Sequence, residues 1–170
     1  MAANKYIAWV AGSLSEVVAT VTSTGVSMAN KIVALDATGK LDSSLMPTGI
    51  SAEVKVLVAS EALSARNLVN IWNDTGTEKA RKADASNGRR ANGFVLEAVN
   101  QGANATVYLE GTITGLSSKT PGAPQYLSAD AAGTMVETPD ATAGEISQEV
   151  GVAVSATEVS FEPQQPVTIA

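Results

Sequence analysis

The chain contains no cysteine and no histidine. Without cysteine there is no disulfide, no zinc–thiolate site and no thiol nucleophile. Without histidine the commonest general base and metal ligand is gone, and with it every Ser-His-Asp triad. Aromatic residues make up only 4% of 170 positions. That leaves little from which to build a sugar-binding cleft or a platform for stacked bases. No apolar run reaches the length of a transmembrane helix. Glycine-rich phosphate loops of the GxGxxG, GxxxxGKS or GxxxxGKT type are missing. An enzyme could still act through carboxylates or lysines, but the composition leads us to expect no catalytic residues, no cofactor and no metal.

What is present is small and β-prone. Hydrophobic residues are 45% of the chain, and Ala, Val, Thr, Ser and Gly dominate. This mixture suits strands with small side chains, close sheet packing and many turns. Val, Ile and Leu recur throughout, which argues against disorder. The length is enough for one domain with a real core, or one domain plus an arm.

Charge is unevenly spread about a net of −6. Residues 1–90 carry ten bases against eight acids, a net of +2, whereas residues 91–170 carry Lys119 against nine acids, a net of −8. Six bases fall between Arg66 and Arg90: Arg66, Lys79, Arg81, Lys82, Arg89 and Arg90. They read either as a basic face for an acidic neighbour or as the solvated outer positions of a hairpin. With Trp72 alone as an aromatic among them and an acidic chain overall, nucleic acid is not an expected partner. Nor is a membrane. The first residues, Met-Ala-Ala-Asn-Lys-Tyr, lack the basic and apolar regions of a signal peptide, so synthesis in a cytoplasm is expected.

Along the chain, Tyr6–Val10 and Val17–Thr22 read as strands about an Ala-Gly-Ser turn. Ser13 to Val21 could instead be a helix, with Ser13 as cap and Glu16 at its third position. Thr48–Ser51 reads as a joint. Beyond it, strands are expected at Val54–Val58, Leu68–Trp72, Glu78–Ala83, Phe94–Val99, Ala105–Glu110, Thr112–Thr114, Gln125–Leu127, Thr134–Thr138, Val150–Val154 and Val159–Phe161. Turn signals arrive about every ten residues, the mark of a sandwich or small barrel. No helix of three turns is expected. The fold class is therefore all-β: a small β-sandwich or β-barrel domain at 51–170, preceded by an extended N-terminal arm at 1–50 with a short β element. The expected core is Val56, Leu68, Ile71, Trp72, Phe94, Leu96, Val107, Leu109, Ile113, Leu127, Val150, Val152 and Phe161.

The most distinctive stretch is Lys31-Ile-Val-Ala-Leu-Asp-Ala-Thr-Gly-Lys-Leu-Asp-Ser-Ser-Leu-Met-Pro47. It reads as a short strand from Ile32 to Leu35, a tight Asp36-Ala-Thr-Gly39 turn, and a second strand begun by Leu41. Leu45 and Met46 follow as an apolar plug, and Pro47 ends the element. This stretch resembles a segment that recurs near the N-terminus of trimeric fibre, tail and capsid-decoration proteins of bacteriophages. A second resemblance lies in the order of Gly93-Phe-Val-Leu96, Gly115-Leu116, Thr120-Pro-Gly122, Tyr126-Leu-Ser128 and Val150-Gly-Val-Ala-Val-Ser155. That order is similar to a β-domain common in phage structural proteins. Together the two cover most of residues 28–170.

The resemblance implies a capsid decoration (cement) protein, a homotrimer on the virion surface whose partner is the major capsid protein. A tail or head fibre base is the alternative, and a small carbohydrate-binding module a more distant one. The interface residues implied are Ile32, Val33, Leu35, Leu41, Leu45, Met46 and Pro47, unless these form the domain's own core. Among the acids, Glu137, Asp140, Glu145 and Glu149 are the densest group. They lack the spacing of a calcium loop and read as a solvated acidic loop. Asn73-Asp-Thr75 and Asn104-Ala-Thr106 match the glycosylation triplet but read as turn and strand. Pro163-Gln-Gln-Pro166 reads as an extended closing segment lying over a neighbour.

Overall fold

A computed structural model describes residues 4–37, 39–46 and 53–170. The chain divides into two compact units, Met1–Ser51 and Ala52–Ala170. Both are built from strands and turns; the helical segments among the described residues are three single 3-10 turns.

The first unit holds one hairpin, β1 (Lys5–Val10) and β2 (Ser13–Val18). Ala11 and Gly12 both take positive φ at its tip, the geometry that matches the twist of two antiparallel strands. β2 thus starts four residues before the expected strand, and the helical alternative at Ser13–Val21 is not realised. After β2 the chain folds back with a single parallel bridge, Thr20 to Val33. The strands expected at Ile32–Leu35 and from Leu41 do not form. Ile32 to Ala34 contacts only Thr20 through backbone bonds, and a strand needs a continuous neighbour to pair with.

The second unit begins with β3 (Val54–Ala59), β4 (Leu68–Asp74), β5 (Thr77–Lys82), β6 (Gly93–Phe94) and β7 (Asn104–Tyr108), which close a barrel in the order β3-β5-β4-β6-β7. The β3–β5 pairing is parallel and the rest antiparallel. A five-stranded antiparallel sheet follows, made of β8 (Gly111–Thr114), β9 (Pro124–Leu127), β10 (Met135–Val136), β12 (Glu149–Ser155) and β13 (Glu158–Phe161) in the order β10-β9-β12-β13-β8. Two short strands, β11 (Ile146–Ser147) and β14 (Val167–Thr168), pair with each other.

Two apolar clusters hold this unit together. Leu57, Ala59, Leu63, Val69, Ala80, Val95, Ala105 and Val107 fill the barrel. Leu68, Phe94, Ile113, Leu127, Ile146, Val150 and Phe161 pack with three alanines where barrel meets sheet. Phe94 stacks on Tyr108, with ring centroids 5.4 Å apart, and meets Phe161 edge-on at 5.3 Å.

Three expected core residues lie on the surface, each for a local reason. Val56 is exposed because β3 turns Leu57 and Ala59 inward. Lys55 shares that inward parity but sits toward the strand's start, where it pairs with Glu78 at 2.6 Å. Leu96 is exposed because β6 stops at Phe94 instead of running to Val99. Val152 is exposed because the register of β12 against β9 shifts between Glu149 and Gly151. Val150 and Gly151 are both buried there, which reverses the alternation beyond them. Ile71, Trp72 and Leu109 are half-buried.

Two glycines are required by close approach. A Cβ on Gly151 would lie 1.9 Å from the Ser160 carbonyl oxygen, at a φ of +146°. A Cβ on Gly93 would lie 2.5 Å from the Tyr108 carbonyl oxygen. In urea unfolding, Gly151→Ala should therefore lower stability markedly, and Phe161→Ala should cost roughly 3–5 kcal/mol. Val56→Ser, on the outer barrel surface, should stay within about 0.5 kcal/mol of wild type.

Candidate functional site

The first unit has almost no interior. Among its described residues the single buried side chain is that of Thr20. Neither apolar cluster contains any of its described residues. The reason is size: about fifty residues bury too small a share of their surface to close a core alone. Most of its described large apolar side chains are therefore exposed.

Turn chemistry shapes the 31–47 segment. The Asp36 N–H donates to the Lys40 carbonyl at 2.8 Å, and the Lys40 N–H donates to Asp36 Oδ1 at 2.9 Å. Gly39 closes this turn at a φ of +78°. Asp42 then starts a 3-10 turn, accepting from the Ser44 N–H at 2.9 Å and from its hydroxyl at 2.6 Å. Those two bonds hold the Asp42 carboxyl below its usual range. Ser44 Oγ also accepts the Ser23 N–H at 2.8 Å, which ties the turn back to the loop after β2.

These anchors are all polar, and they leave the apolar side chains outside. Ile32, Val33, Leu35, Leu41 and Met46 are between 39% and 55% exposed. Leu45 is half-buried, and Pro47 lies outside the described residues. None of the described residues among them is buried, and none belongs to either apolar cluster. The sequence reading missed a second apolar surface on the hairpin, where Ile7, Trp9, Leu14 and Val18 are exposed. The alternation of Ile7 with Trp9, and of Leu14 with Val18, carried that signal.

The acidic residues are dispersed by local bonds. Glu137 accepts the Thr120 N–H at 2.7 Å, which holds its carboxyl below the ordinary range. Asp140 caps Thr142 and is lowered likewise. Glu145 is half-buried, with Oε2 lacking a hydrogen-bond partner. Burial, then the negative charge of Asp140, pushes its carboxyl up. No cluster of three or more potential metal ligands occurs among the described residues. A concavity of about 500 Å³ between residues 95–100 and β7 has only Glu97 and Tyr108 as ionisable side chains.

Much of the basic stretch is engaged within the domain. Lys79 pairs with Asp74 at 2.6 Å, Arg66 Nε donates to the Thr114 carbonyl at 2.8 Å, and Arg81 lies 4.5 Å over the Trp72 ring. Lys119, the lone base of the acidic half, donates to Gln125 Oε1 at 2.7 Å, and burial lowers its pKa. The Pro163–Pro166 segment closes on its own domain: the Gln164 N–H donates to the Glu149 carbonyl at 2.8 Å. Asn73 accepts the Gly76 N–H in a turn, and Asn104 opens β7. No helix among the described residues is long and apolar enough to cross a membrane.

No family model matches the chain, and no curated protein matches it.

The raised Glu145 carboxyl has a directional consequence. A group whose pKa is higher in the folded state favours folding at low pH, and that contribution is lost as pH rises through the folded value. Glu145→Gln should therefore melt higher than wild type at pH 7. The gain should shrink to nothing below the ordinary glutamate value of 4.5. Paired thermal melts from acid to neutral pH check this.

Proposed function

We propose that this chain is a bacteriophage virion structural protein that decorates the capsid and stabilises the head. The observation that carries this reading is the exposed apolar row Ile32, Val33, Leu35, Leu41 and Met46. It lies in the segment whose sequence resembles the arm of phage virion proteins, and it is held outward by polar turns. The partner is the major capsid protein, and the protein acts as a homotrimer. It is made in the host cytoplasm and ends on the capsid surface. It performs no catalysis and binds neither nucleic acid nor membrane.

The proposed mechanism is static. Burying the row against the shell removes apolar area from water at roughly 25 cal/mol per Å². Contacts repeated over many symmetric copies, and linked within an oligomer, add through effective concentration. Bridged shell subunits then separate less readily under the pressure of packaged DNA.

Incubation of the purified protein with undecorated capsids, followed by cryo-electron microscopy, tests the reading. Density at symmetric shell sites, with the 31–47 segment along a seam between capsid subunits, is the expected result. Substituting Leu35→Ser and Leu41→Ser together should weaken shell binding by at least about tenfold, since each buried leucine contributes about 1.5–3 kcal/mol. Bare shells would overturn decoration and favour the fibre-base alternative.

A further inference from the structure

The β1–β2 hairpin has two faces of different character. Lys5, Ile7 and Trp9 lie opposite Val18, Glu16 and Leu14 in the register. Cross-strand partners share a face, and alternate residues on a strand do too. These six therefore form one side of the hairpin. Ile7, Trp9 and Leu14 are 67%, 71% and 68% exposed there, and Val18 is exposed as well. The other side is used by the unit itself. Tyr6, Ala8, Ser15 and Val17 are half-buried, and the Tyr6 hydroxyl accepts the Ile32 N–H at 3.3 Å. A lone two-stranded hairpin is marginally stable in water, so an uncovered face of this composition calls for a partner.

We propose that this face meets the same faces of the other copies about a common axis, β1 of each copy against β2 of the next, so that the hairpins hold the oligomer together. The inference deepens the oligomer of the preceding section and rests on that reading only for the number of copies. It gives the first unit two separate surfaces: the hairpin for self-association and the 31–47 segment for the shell.

Two observations favour a second copy over a foreign partner. The first is charge. The face carries one base on β1 and one acid on β2, Lys5 and Glu16, 3.2 Å apart. Such a face has no net charge to attract a charged partner patch. When β1 of one copy lies against β2 of another, each Lys5 meets a Glu16, so the face is complementary to itself. The second is area. The four apolar side chains leave on the order of 500 Å² per copy, so three faces together would bury about 1,500 Å², within the range of a specific interface. Trp9 stands directly opposite Leu14, and tryptophan is among the residues that most often anchor an interface.

Sedimentation equilibrium of the purified full chain, without capsids, tests the proposal. The wild type should associate as concentration rises. Trp9→Ser should weaken association at least about tenfold, as expected for an interface anchor, while the thermal melt of the β-domain stays in place. Lys5→Glu and Glu16→Lys should each weaken self-association, because like charges then meet. Mixing those two variants should restore it in part, because two of the three contacts in a mixed trimer then pair opposite charges. A pair acting only within one copy would give no rescue on mixing.

Three results would each overturn the proposal: a wild type that stays monomeric throughout, a Trp9→Ser variant that associates like wild type, or variants that fail to rescue each other. Bare shells in the decoration experiment would leave it standing. A monomeric chain that still decorates shells would sink this inference and the homotrimer, and leave decoration itself standing.

Discussion

The contact between Phe94 and Phe161 is the one on which the β-domain depends. Phe94 belongs to the barrel and Phe161 to the five-stranded sheet, and both are fully buried. Their edge-to-face packing joins two layers that otherwise have separate backbone ladders. Other features of the domain serve this contact. The two-residue length of β6 brings Phe94 to the layer boundary, and Gly93 lets the β7 backbone approach it closely. The bend at Gly151 lets β12 lie against β13, where Gly151 pairs with Phe161 itself. In a chain with only seven aromatic residues, placing three of them in one cluster concentrates the largest apolar surfaces where the layers meet.

Buried polar side chains complete the closure where strands are too short to do so. Gln148 accepts the Ala91 N–H and donates to the carbonyls of Ala91 and Gln164. It thereby pins the loop before β6 and the C-terminal segment to the sheet. Gln125 is fully buried and is met by Lys119. That half-buries the lone base of residues 91–170, whose acids are exposed or half-exposed. A buried amide is tolerated because its bonds are made; unpaired, each such group would destabilise the domain.

The first unit follows the opposite logic. It has polar anchors in place of a core: Asp36, Asp42, Ser44 and Tyr6 set the path of the chain through short side-chain bonds. The apolar residues are what these anchors display. A unit that small gains more by burying them against another surface than by folding around them. One principle, the removal of apolar area from water, thus gives a closed interior in one unit and two outward-facing surfaces in the other.

Much of this was legible from residues alone. Turn residues at Ala11-Gly12, Asp36 to Gly39, Thr75-Gly76 and Asp84 to Gly88 marked reversals of the chain, because their backbone needs are local. Val, Thr and Ile content announced an all-β chain, and Leu68, Phe94, Val107, Ile113, Leu127, Val150 and Phe161 were recognisable as core. The facing of Val56 and Val152 was not legible. It hangs on strand parity, which one bulged residue reverses in β12 and which the lysine near the start of β3 disguises in the sequence pattern. Nor was the extent of β6, which depends on where its neighbours allow pairing. The sequence alone also left open whether the apolar residues of 31–47 lie inside or outside. Hydrophobicity states that a side chain prefers burial. Only the tertiary structure decides whether the chain has enough neighbouring mass to bury it, and in the first unit it does not.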